Sequence, residues 1–251
     1  MDQTPVRHWR LAGLDNLRDI GGYRSAGGGT TRWRRLWRAD APHRLEGIGC
    51  EALREAGLAT VIDLRTVEEI AAAPSPFAGD TSVRYRHVSL FANLAPIRML
   101  IEGNGGRPFR LVDRYRDALD RCREALAEVF AVIDQSGEGG VLVNCTAGKD
   151  RTGLVVALLL LALDVDVDTI VADYALTEEV AAPLFARLRA NAIARGSDLA
   201  SMGEVFSSPA SAMRETLDYL AGTDNGPDGY LASIGVDAKA RRRLGARFLD
   251  R

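Results

Sequence analysis

The most informative stretch of the chain is residues 140–153, which read GVLVNCTAGKDRTG. Its first part, residues 141–143, is an apolar run that predicts a buried strand. Five residues separate Cys145 from Arg151, and an apolar helix is predicted to begin at Thr152. A strand that passes through a short polar loop into a helix is typical of α/β proteins.

Strands and helices alternate along much of the remaining chain. Short apolar runs predict further strands at residues 59–64 and 83–90. Apolar residues at helical spacing predict helices at residues 46–56, 110–133, 210–220 and 237–249. Two glycine-containing segments predict a short hairpin or meander within residues 21–38 and a turn at residues 225–229. The chain is therefore predicted to be α/β, with a central, mainly parallel sheet flanked by helices.

No internal repeat and no low-complexity linker divides the chain. Its 251 residues are within the size that one hydrophobic core supports. We therefore predict a single domain over residues 1–251, with helical additions after about residue 175.

Composition and charge exclude several classes of protein. The chain is 47% hydrophobic and 26% charged, which is typical of a folded globular protein. Its formal net charge of −2 argues against a general nucleic-acid binder. The longest apolar run, residues 154–163, is about half of the roughly 20 residues that a membrane span needs, so no transmembrane segment is predicted. No signal peptide is apparent, so we expect a cytoplasmic protein.

The cysteines and histidines give no pattern for a disulfide framework or a metal site. The cysteines are Cys50, Cys122 and Cys145, an odd number without a CxxC pair, and the chain has three histidines. The sequence therefore predicts no metal and no cofactor.

The spacing between Cys145 and Arg151 suits the binding of an oxyanion. A loop of this length before a helix can direct several backbone N–H groups to one point, where the helix N-terminus adds partial positive charge. Arg151 could hold two oxygens of a phosphate, and the positive surroundings would favour the nucleophilic thiolate of Cys145. The alternative is a buried packing cysteine with a chance spacing. It is less favoured because the strand, Gly148 and the helix entry would all have to coincide.

The stretch resembles the signature loop of the cysteine-dependent protein tyrosine phosphatase superfamily, H-C-x5-R-[ST]. The resemblance is closer to a bacterial and fungal branch of tyrosine/serine phosphatases, whose loops read CxxGKDRTG. Two further segments are similar to elements of that branch: NLRDIGGY at residues 16–23, and VIDLR at residues 61–65 followed by Glu68 or Glu69. Residues 173–230 resemble the branch's helical C-terminal insertion, which implies a lid over about 175–230.

The resemblance implies roles for individual residues. Cys145 would be the nucleophile that takes the phosphoryl group, and Arg151 would bind the phosphate and the transition state. Thr152 would donate its hydroxyl to the cysteine sulfur. The remaining loop residues would bind substrate: Thr146, Ala147, Gly148 and Lys149.

Two aspartates are candidates for the general acid, Asp150 in the loop and Asp63 at the end of a predicted strand. We rank Asp150 above Asp63, because Asp63 could equally cap a turn or pair with an arginine. Supporting roles are implied for Arg18, Asp19 and Arg65.

One further supporting position departs from the family pattern. Asn144 stands where the family usually has histidine, which implies weaker or pH-shifted activity. An asparagine can donate similar hydrogen bonds but carries no positive charge.

The implied function is a phosphomonoesterase that works through a phosphocysteine intermediate on phosphotyrosine proteins, with phosphoserine or phosphothreonine as further substrates. Lys149, as an extra cation in the loop, favours a phosphoinositide phosphatase as the alternative. Asn144 favours a pseudophosphatase that binds phosphate without turnover. Proteins that resemble this branch are sometimes exported without an obvious signal peptide, so export is an alternative to the cytoplasm.

Overall fold

The computed structural model of the protein describes residues 6–92, 94 and 107–250. Its main sheet has five strands in the order β1-β3-β6-β4-β5. The strands are β1 (Arg18–Asp19), β3 (Leu36–Ala39), β4 (Leu58–Asp63), β5 (Arg84–His87) and β6 (Gly140–Asn144). A separate antiparallel pair joins β2 (Thr30–Thr31) to β7 (Leu249–Asp250).

Four strands of the main sheet run parallel, and only β1 is antiparallel to its neighbour β3. Helices cover this sheet on both faces, so the prediction of a mainly parallel sheet flanked by helices is confirmed. The described helices are α1 (Gly47–Glu55), α2 (Val67–Ala72), α3 (Leu111–Arg121), α4 (Arg123–Asp134), α5 (Asp150–Ala162), α6 (Val167–Ala175), α7 (Thr177–Val180), α8 (Ala182–Ala194), α9 (Ala210–Ala221), α10 (Gly226–Ser233) and α11 (Ala238–Phe248), with 3₁₀ turns at Pro42–Arg44 and Gly203–Phe206.

The central strand β6 is apolar from Val141 to Val143 because both of its faces are buried. Val141 and Val143 belong to the larger core, which contains most of the helices, and Leu142 belongs to a smaller core with Trp37 and Leu53. A parallel strand covered on both faces is expected to be a continuous apolar run. The same burial explains α5, which is apolar on nearly all sides.

Three strands end side by side at one edge of the sheet. Asn144, the last residue of β6, pairs with Ala39, the last of β3, and with Asp63, the last of β4. The loops that follow these three strands therefore meet. In parallel α/β sheets this carboxyl edge is where ligands bind.

One helix prediction and one turn prediction need correction. The helix predicted over residues 110–133 is two helices, α3 and α4, which meet at Cys122 with φ −110° and ψ 24°. Leu119 and Leu126 are fully buried on the two sides of this break, so the apolar spacing continues across it. The turn predicted at residues 225–229 is the start of α10, because the proline after Gly226 is tolerated in the first turn of a helix.

The hairpin or meander predicted within residues 21–38 is wrong for its second half. Residues 36–39 form β3, which joins β6 in the main sheet, and β2 pairs with β7 from the end of the chain. All four residues of β3 are buried, including Arg38, so the alternation of tryptophans with arginines does not mark a solvent-exposed face.

No helix in the described part of the chain has the length and apolar character that a membrane span requires.

Candidate active site

The loop between β6 and α5 makes a tight turn at the carboxyl edge of the sheet; we call residues 145–151 the signature loop. Cys145 is its first residue and is 2% exposed. Gly148 has a φ of +66°, and a Cβ at this position would lie 2.5 Å from the carbonyl of Ala39. Glycine is required here both for the backbone conformation and for the close approach to β3.

Two buried side chains bind carbonyl groups of the signature loop. Asn16 Nδ2 donates to the carbonyl of Ala147 at 2.8 Å, and Arg38 Nη2 donates to that of Gly148 at 2.7 Å. In a trans peptide the C=O and N–H groups point in opposite directions. The amides that follow these carbonyls are therefore directed away from Asn16 and Arg38. Together with the N-terminus of α5, they make an electropositive cradle for an anion.

Arg38 is held in turn by Asp173 on α6. Arg38 Nη1 donates to Asp173 Oδ2 at 2.6 Å, and Tyr23 Oη donates to Oδ1 at 3.0 Å. Burial alone would raise the pKa of Asp173, but the charges of Arg38 and Arg18 hold it below its usual value. All three charged side chains are buried, so this ion pair is a rigid support behind the loop.

Arg18 lies in the same buried cluster. It donates to the carbonyl of Asp173 at 3.0 Å, to Thr177 at 3.1 Å and to the side-chain oxygen of Asn16. Burial and the neighbouring Arg38 lower the pKa of Arg18 to about 9. Arg18 therefore reaches the signature loop through Asn16.

Asp19, the other residue of β1 with an implied supporting role, does not pair with Arg18. Its carboxylate accepts from the backbone N–H groups of Gly21 and Arg34 at 2.9 and 2.8 Å. Burial raises the pKa of Asp19 to about 6. Adjacent residues of a strand point to opposite faces, which separates the two side chains.

Arg151 lies beside the cradle and is paired with Glu69. Its Nη1 and Nη2 donate to the two oxygens of Glu69 at 2.5 and 2.8 Å, and the hydroxyl of Thr146 donates to the same carboxylate. Burial lowers the pKa of Arg151, but the hydrogen bonds with Glu69 and the charge of Cys145 raise it above its ordinary value. No described residue accepts a hydrogen bond from the Nε of Arg151.

Glu69 is fixed by the N-terminus of α2. Its carboxylate accepts from the N–H of Thr66 at 2.8 Å, and the Thr66 hydroxyl accepts from the N–H of Glu69, which completes a capping box. Burial would raise the pKa of Glu69, but the hydrogen bonds and charge of Arg151 lower it to about 2. In the sequence Glu69 is apparent only as one of two acids that follow the DLR segment. The T-x-x-E spacing at residues 66–69 was the signal that it is fixed.

Asp150 is the first residue of α5, and its side chain is 26% exposed. Its Oδ1 accepts from the hydroxyl of Tyr115 at 2.7 Å and lies 3.4 Å from Lys149 Nζ. No described residue donates to Oδ2. The carboxylate thus has one oxygen held by Tyr115 and one without a described donor.

Asp63, the rival candidate for the general acid, is fully buried and paired. Its two oxygens accept from Arg65 Nε at 2.9 Å and Nη2 at 2.7 Å, and Tyr85 Oη donates at 3.0 Å. Arg65 also donates to the carbonyl of Ala73 at 2.7 Å. Asp63 therefore pairs with an arginine at the end of a strand, which was the alternative to a catalytic role. Arg65 supports the turn after β4.

Lys149 does not extend past the cradle towards a second phosphate. It is 1% exposed, and its Nζ donates to the carbonyls of Glu204, Val205 and Ser207 at 3.3, 2.7 and 2.8 Å. These acceptors surround the 3₁₀ turn at residues 203–206. The lysine joins the signature loop to the helical segment that follows α8.

The hydrogen bonds expected of Asn144 and Thr152 are not formed. The side-chain nitrogen and oxygen of Asn144 and the hydroxyl of Thr152 are buried without a hydrogen-bond partner among the described residues, so Thr152 does not donate to the sulfur of Cys145. Asn144 closes β6 and its side chain is fully buried. Asparagine therefore does not replace the loop contacts expected of the family's histidine.

A cleft of about 620 Å³ opens beside Arg151. Its lining is largely apolar on one side, with Val67, Phe91 and Leu94, and includes Glu69 and Arg114. The guanidinium of Arg151 lies 5.7 Å from the centre of the Phe91 ring. Within the described residues, no group of three or more His, Cys, Asp or Glu side chains is placed to hold a metal ion.

Several residues of this site were assigned no role in the sequence analysis. Asn16 lies in the recognised NLRDIGGY element, but its contact with Ala147 spans 131 positions. Arg38 and Asp173 form a pair 135 positions apart, and a buried charge in an apolar strand was the only signal for Arg38. Tyr115 was predicted as an apolar helix residue, and nothing in the sequence indicated its hydroxyl contact.

Comparison with known proteins identifies a family. The model of a tyrosine phosphatase family matches residues 9–250. A protein of Cupriavidus necator, named as a tyrosine-protein phosphatase, is 34% identical over 170 residues; the match covers 64% of this chain and 59% of the relative.

Two further relatives are matched over more of their length. A tyrosine-protein phosphatase of Nostoc commune is 30% identical over 82% of this chain and 71% of its own length. The triple specificity protein phosphatase PtpB of Mycobacterium tuberculosis is 30% identical over 71% of this chain and 72% of its own length.

Replacing Lys149 by methionine tests its link to residues 203–207. The change removes a buried ammonium from three carbonyls, and a hydrogen bond to a charged group contributes about 1.5–3 kcal/mol. We expect amide hydrogens of residues 203–208 to exchange roughly 10- to 100-fold faster, measured by hydrogen–deuterium exchange. The matched control is Lys239→Met, which changes the exposed lysine on α11. Unchanged exchange in Lys149→Met would show that other contacts hold this segment.

The three cysteines should differ in reactivity towards iodoacetate at neutral pH. Burial raises the pKa of the thiols of Cys50 and Cys122, so both remain protonated. Cys145 begins the electropositive loop that also carries Arg151, and this loop attracts an anionic reagent. Mass spectrometry should find Cys145 labelled first, with vanadate protecting it. Equal labelling of Cys50 or Cys122 would contradict the electropositive cradle.

Proposed function

Because the chain belongs to the tyrosine phosphatase family, we propose that it is a cysteine-dependent phosphomonoesterase that acts on phosphotyrosine proteins. The observation that carries the proposal is the signature loop itself. Its carbonyls are bound from behind by Asn16 and Arg38, which directs the amides that follow them to the opposite side of the loop. An anion-binding loop with a cysteine and an arginine suits transfer of a phosphoryl group to sulfur.

In the first step the substrate phosphate binds the loop amides and Arg151. The thiolate of Cys145 attacks phosphorus, a P–S bond forms, and the P–O bond to the leaving group breaks. Asp150 gives its proton to the departing oxygen, so the product leaves as a neutral alcohol or phenol. Phosphate binding at the Nε–Nη2 edge of Arg151 is compatible with continued pairing of Nη1 to Glu69.

In the second step water attacks the phosphocysteine. Asp150, now ionised, takes a proton from the water as the P–O bond forms, and the P–S bond breaks. Inorganic phosphate leaves, and Cys145 is again a thiolate. Water is the co-reactant of the second step, and neither step involves oxidation or reduction.

The cleft beside Arg151 supports an aryl phosphate as the substrate. A phosphotyrosine ring would lie against Phe91, Val67 and Leu94 when its phosphate is in the cradle. The phosphoinositide alternative depended on Lys149 contacting a second phosphate. Because Lys149 is buried and bound to three carbonyls, it does not support that alternative.

We further propose that about residues 175–230 cover the site as a lid. Ala181, Leu184 and Phe185 pack together with Ala147 of the signature loop, and Lys149 binds the segment that follows α8. A single domain over residues 1–251 and a cytoplasmic location remain predictions from the sequence.

Hydrolysis of p-nitrophenyl phosphate tests the proposed function. We expect activity that withstands a chelator and disappears in Cys145→Ser, because serine lacks a thiolate at this position. Cys122→Ser is the matched control, since Cys122 is equally buried but lies between α3 and α4. A protein that binds vanadate without turnover would instead be a pseudophosphatase, and activity that survives Cys145→Ser would overturn the mechanism. A phosphotyrosine peptide should be preferred to phosphoinositides.

A leaving-group series separates the two candidate acids. Loss of a general acid slows departure of phenol far more than that of nitrophenolate, which needs no proton. Asp150→Asn should therefore lower kcat on the order of 100-fold for phenyl phosphate and much less for p-nitrophenyl phosphate. Asp63→Asn should lower stability without changing the ratio of the two rates, since Asp63 is paired with Arg65. A ratio that changes only in Asp63→Asn would reverse the assignment.

A further inference from the structure

A pair of buried tyrosines forms a hydrogen-bonded chain that ends at Asp150. The hydroxyl of Tyr115, on α3, lies 2.7 Å from Asp150 Oδ1 and 2.7 Å from the hydroxyl of Tyr174, on α6. The two rings meet edge to face, with centroids 6.0 Å apart and planes at 88°. Tyr115 is fully buried and Tyr174 is 1% exposed.

The number of available protons determines which group donates in each of these hydrogen bonds. Each phenol has one proton to donate, and an ionised carboxylate only accepts. Tyr115 therefore donates to Asp150, which leaves Tyr174 as the donor to Tyr115. Burial and the charge of Asp150 raise the pKa of both tyrosines well above its ordinary value, so both keep their protons in the range where a phosphatase works.

The same count determines where Asp150 carries its own proton. Oδ1 already receives the proton of Tyr115 and lies 3.4 Å from the ammonium of Lys149. A second proton on Oδ1 would face these donors. When Asp150 is protonated, its proton therefore belongs on Oδ2, which has no described donor and is the oxygen left for the leaving group.

Burying a tyrosine hydroxyl has a cost that phenylalanine would avoid at either position. Tyr174 also packs closely on the first turn of α5, where a Cβ on Gly153 would lie 3.1 Å from its ring. Both tyrosines thus lie directly behind the start of the helix that carries Asp150. Phenylalanine would fill the core equally well at both positions. Core packing alone therefore does not explain why the two hydroxyls bind each other and the partly exposed carboxylate of Asp150.

We propose that Tyr115 is a positioning residue for the general acid Asp150, and that Tyr174 holds Tyr115 in its donating orientation. Together they keep Oδ1 inward and the transferable proton on Oδ2. The proposal rests on the proposed phosphatase function, and on Asp150 as its acid. It adds two residues that act on catalysis through Asp150 without touching the substrate.

The test is Tyr115→Phe, which removes one oxygen from the buried ring. Because the acid remains but is no longer oriented, we expect kcat for phenyl phosphate to fall about 10-fold, a part of the general-acid contribution. For p-nitrophenyl phosphate we expect a loss of about 2-fold or less, since that leaving group needs no proton. KM should change little for either substrate. Tyr174→Phe should change the ratio of kcat for p-nitrophenyl phosphate to kcat for phenyl phosphate in the same direction, by a smaller factor.

Tyr230→Phe is the matched control. Tyr230 is also buried, and its hydroxyl donates at 2.8 Å to the carbonyl of Leu119, on the same helix as Tyr115. It should lose stability as Tyr115→Phe does, while the ratio of the two rates stays at the wild-type value. An equal change of the ratio in Tyr230→Phe would show that the effect of Tyr115→Phe comes from a general loss of order in α3, and would overturn the positioning role.

The double variant Tyr115→Phe/Asp150→Asn separates the possible failures. If Tyr115 acts through Asp150, adding Tyr115→Phe to Asp150→Asn should leave the leaving-group ratio unchanged. A normal ratio in Asp150→Asn itself would overturn the acid assignment. The ratio of the rate for p-nitrophenyl phosphate to that for phenyl phosphate could instead rise in Asp150→Asn and stay at the wild-type value in Tyr115→Phe. That result would overturn the positioning role and leave the phosphatase function standing.

Discussion

The carbonyl groups of residues 147 and 148 are the groups on which the rest of the site depends. Bound from behind by Asn16 and Arg38, they direct the neighbouring amides to the opposite side, where an anion can be held. Without these two side chains, the loop backbone could form hydrogen bonds with water in other conformations, and the amides would not stay directed to one point. The NLRDIGGY element, β3 and α6 all contribute side chains to this support, although they are far apart in sequence.

The charges behind the loop add to its preference for anions. Arg18 and Arg38 are both buried, and Asp173 is the one carboxylate in the described part of the chain that pairs with them. The lowered pKa of Arg18, about 9, reflects burial and the second arginine beside it. A net positive charge below the loop, in a region of low dielectric, acts on the cradle more strongly than a surface charge would. Removing Asp173 would therefore leave two arginines uncompensated as well as unfixed.

The sequence predicts the geometry of the backbone better than the partners of the side chains. The apolar run before Cys145 and the run before Asp63 predict parallel strands, and parallel strands bring the loops that follow them to one edge. Whether an aspartate at that edge is free to act as an acid depends on its hydrogen-bond partners, and the spacing of residues in the sequence does not reveal these partners. Asp63 is bound by Arg65 only two positions away, whereas Asp150 is bound by Tyr115 from a helix 35 positions earlier. Lys149 illustrates the same limit, because the carbonyls that bind it lie 55 to 58 positions further along.

Helix α6 connects the two functions that the site must combine. Its neighbouring residues Asp173 and Tyr174 point to different partners, Asp173 to the arginine that braces the anion cradle and Tyr174 to the tyrosine that orients the acid. A shift of this helix would thus disturb phosphate binding and proton transfer together. Nucleophile and acid need a fixed separation, since the thiolate attacks phosphorus on one side while the proton reaches the oxygen that departs on the other. Supporting the anion cradle and the acid from adjacent buried residues of one helix is a direct way for the fold to maintain that separation.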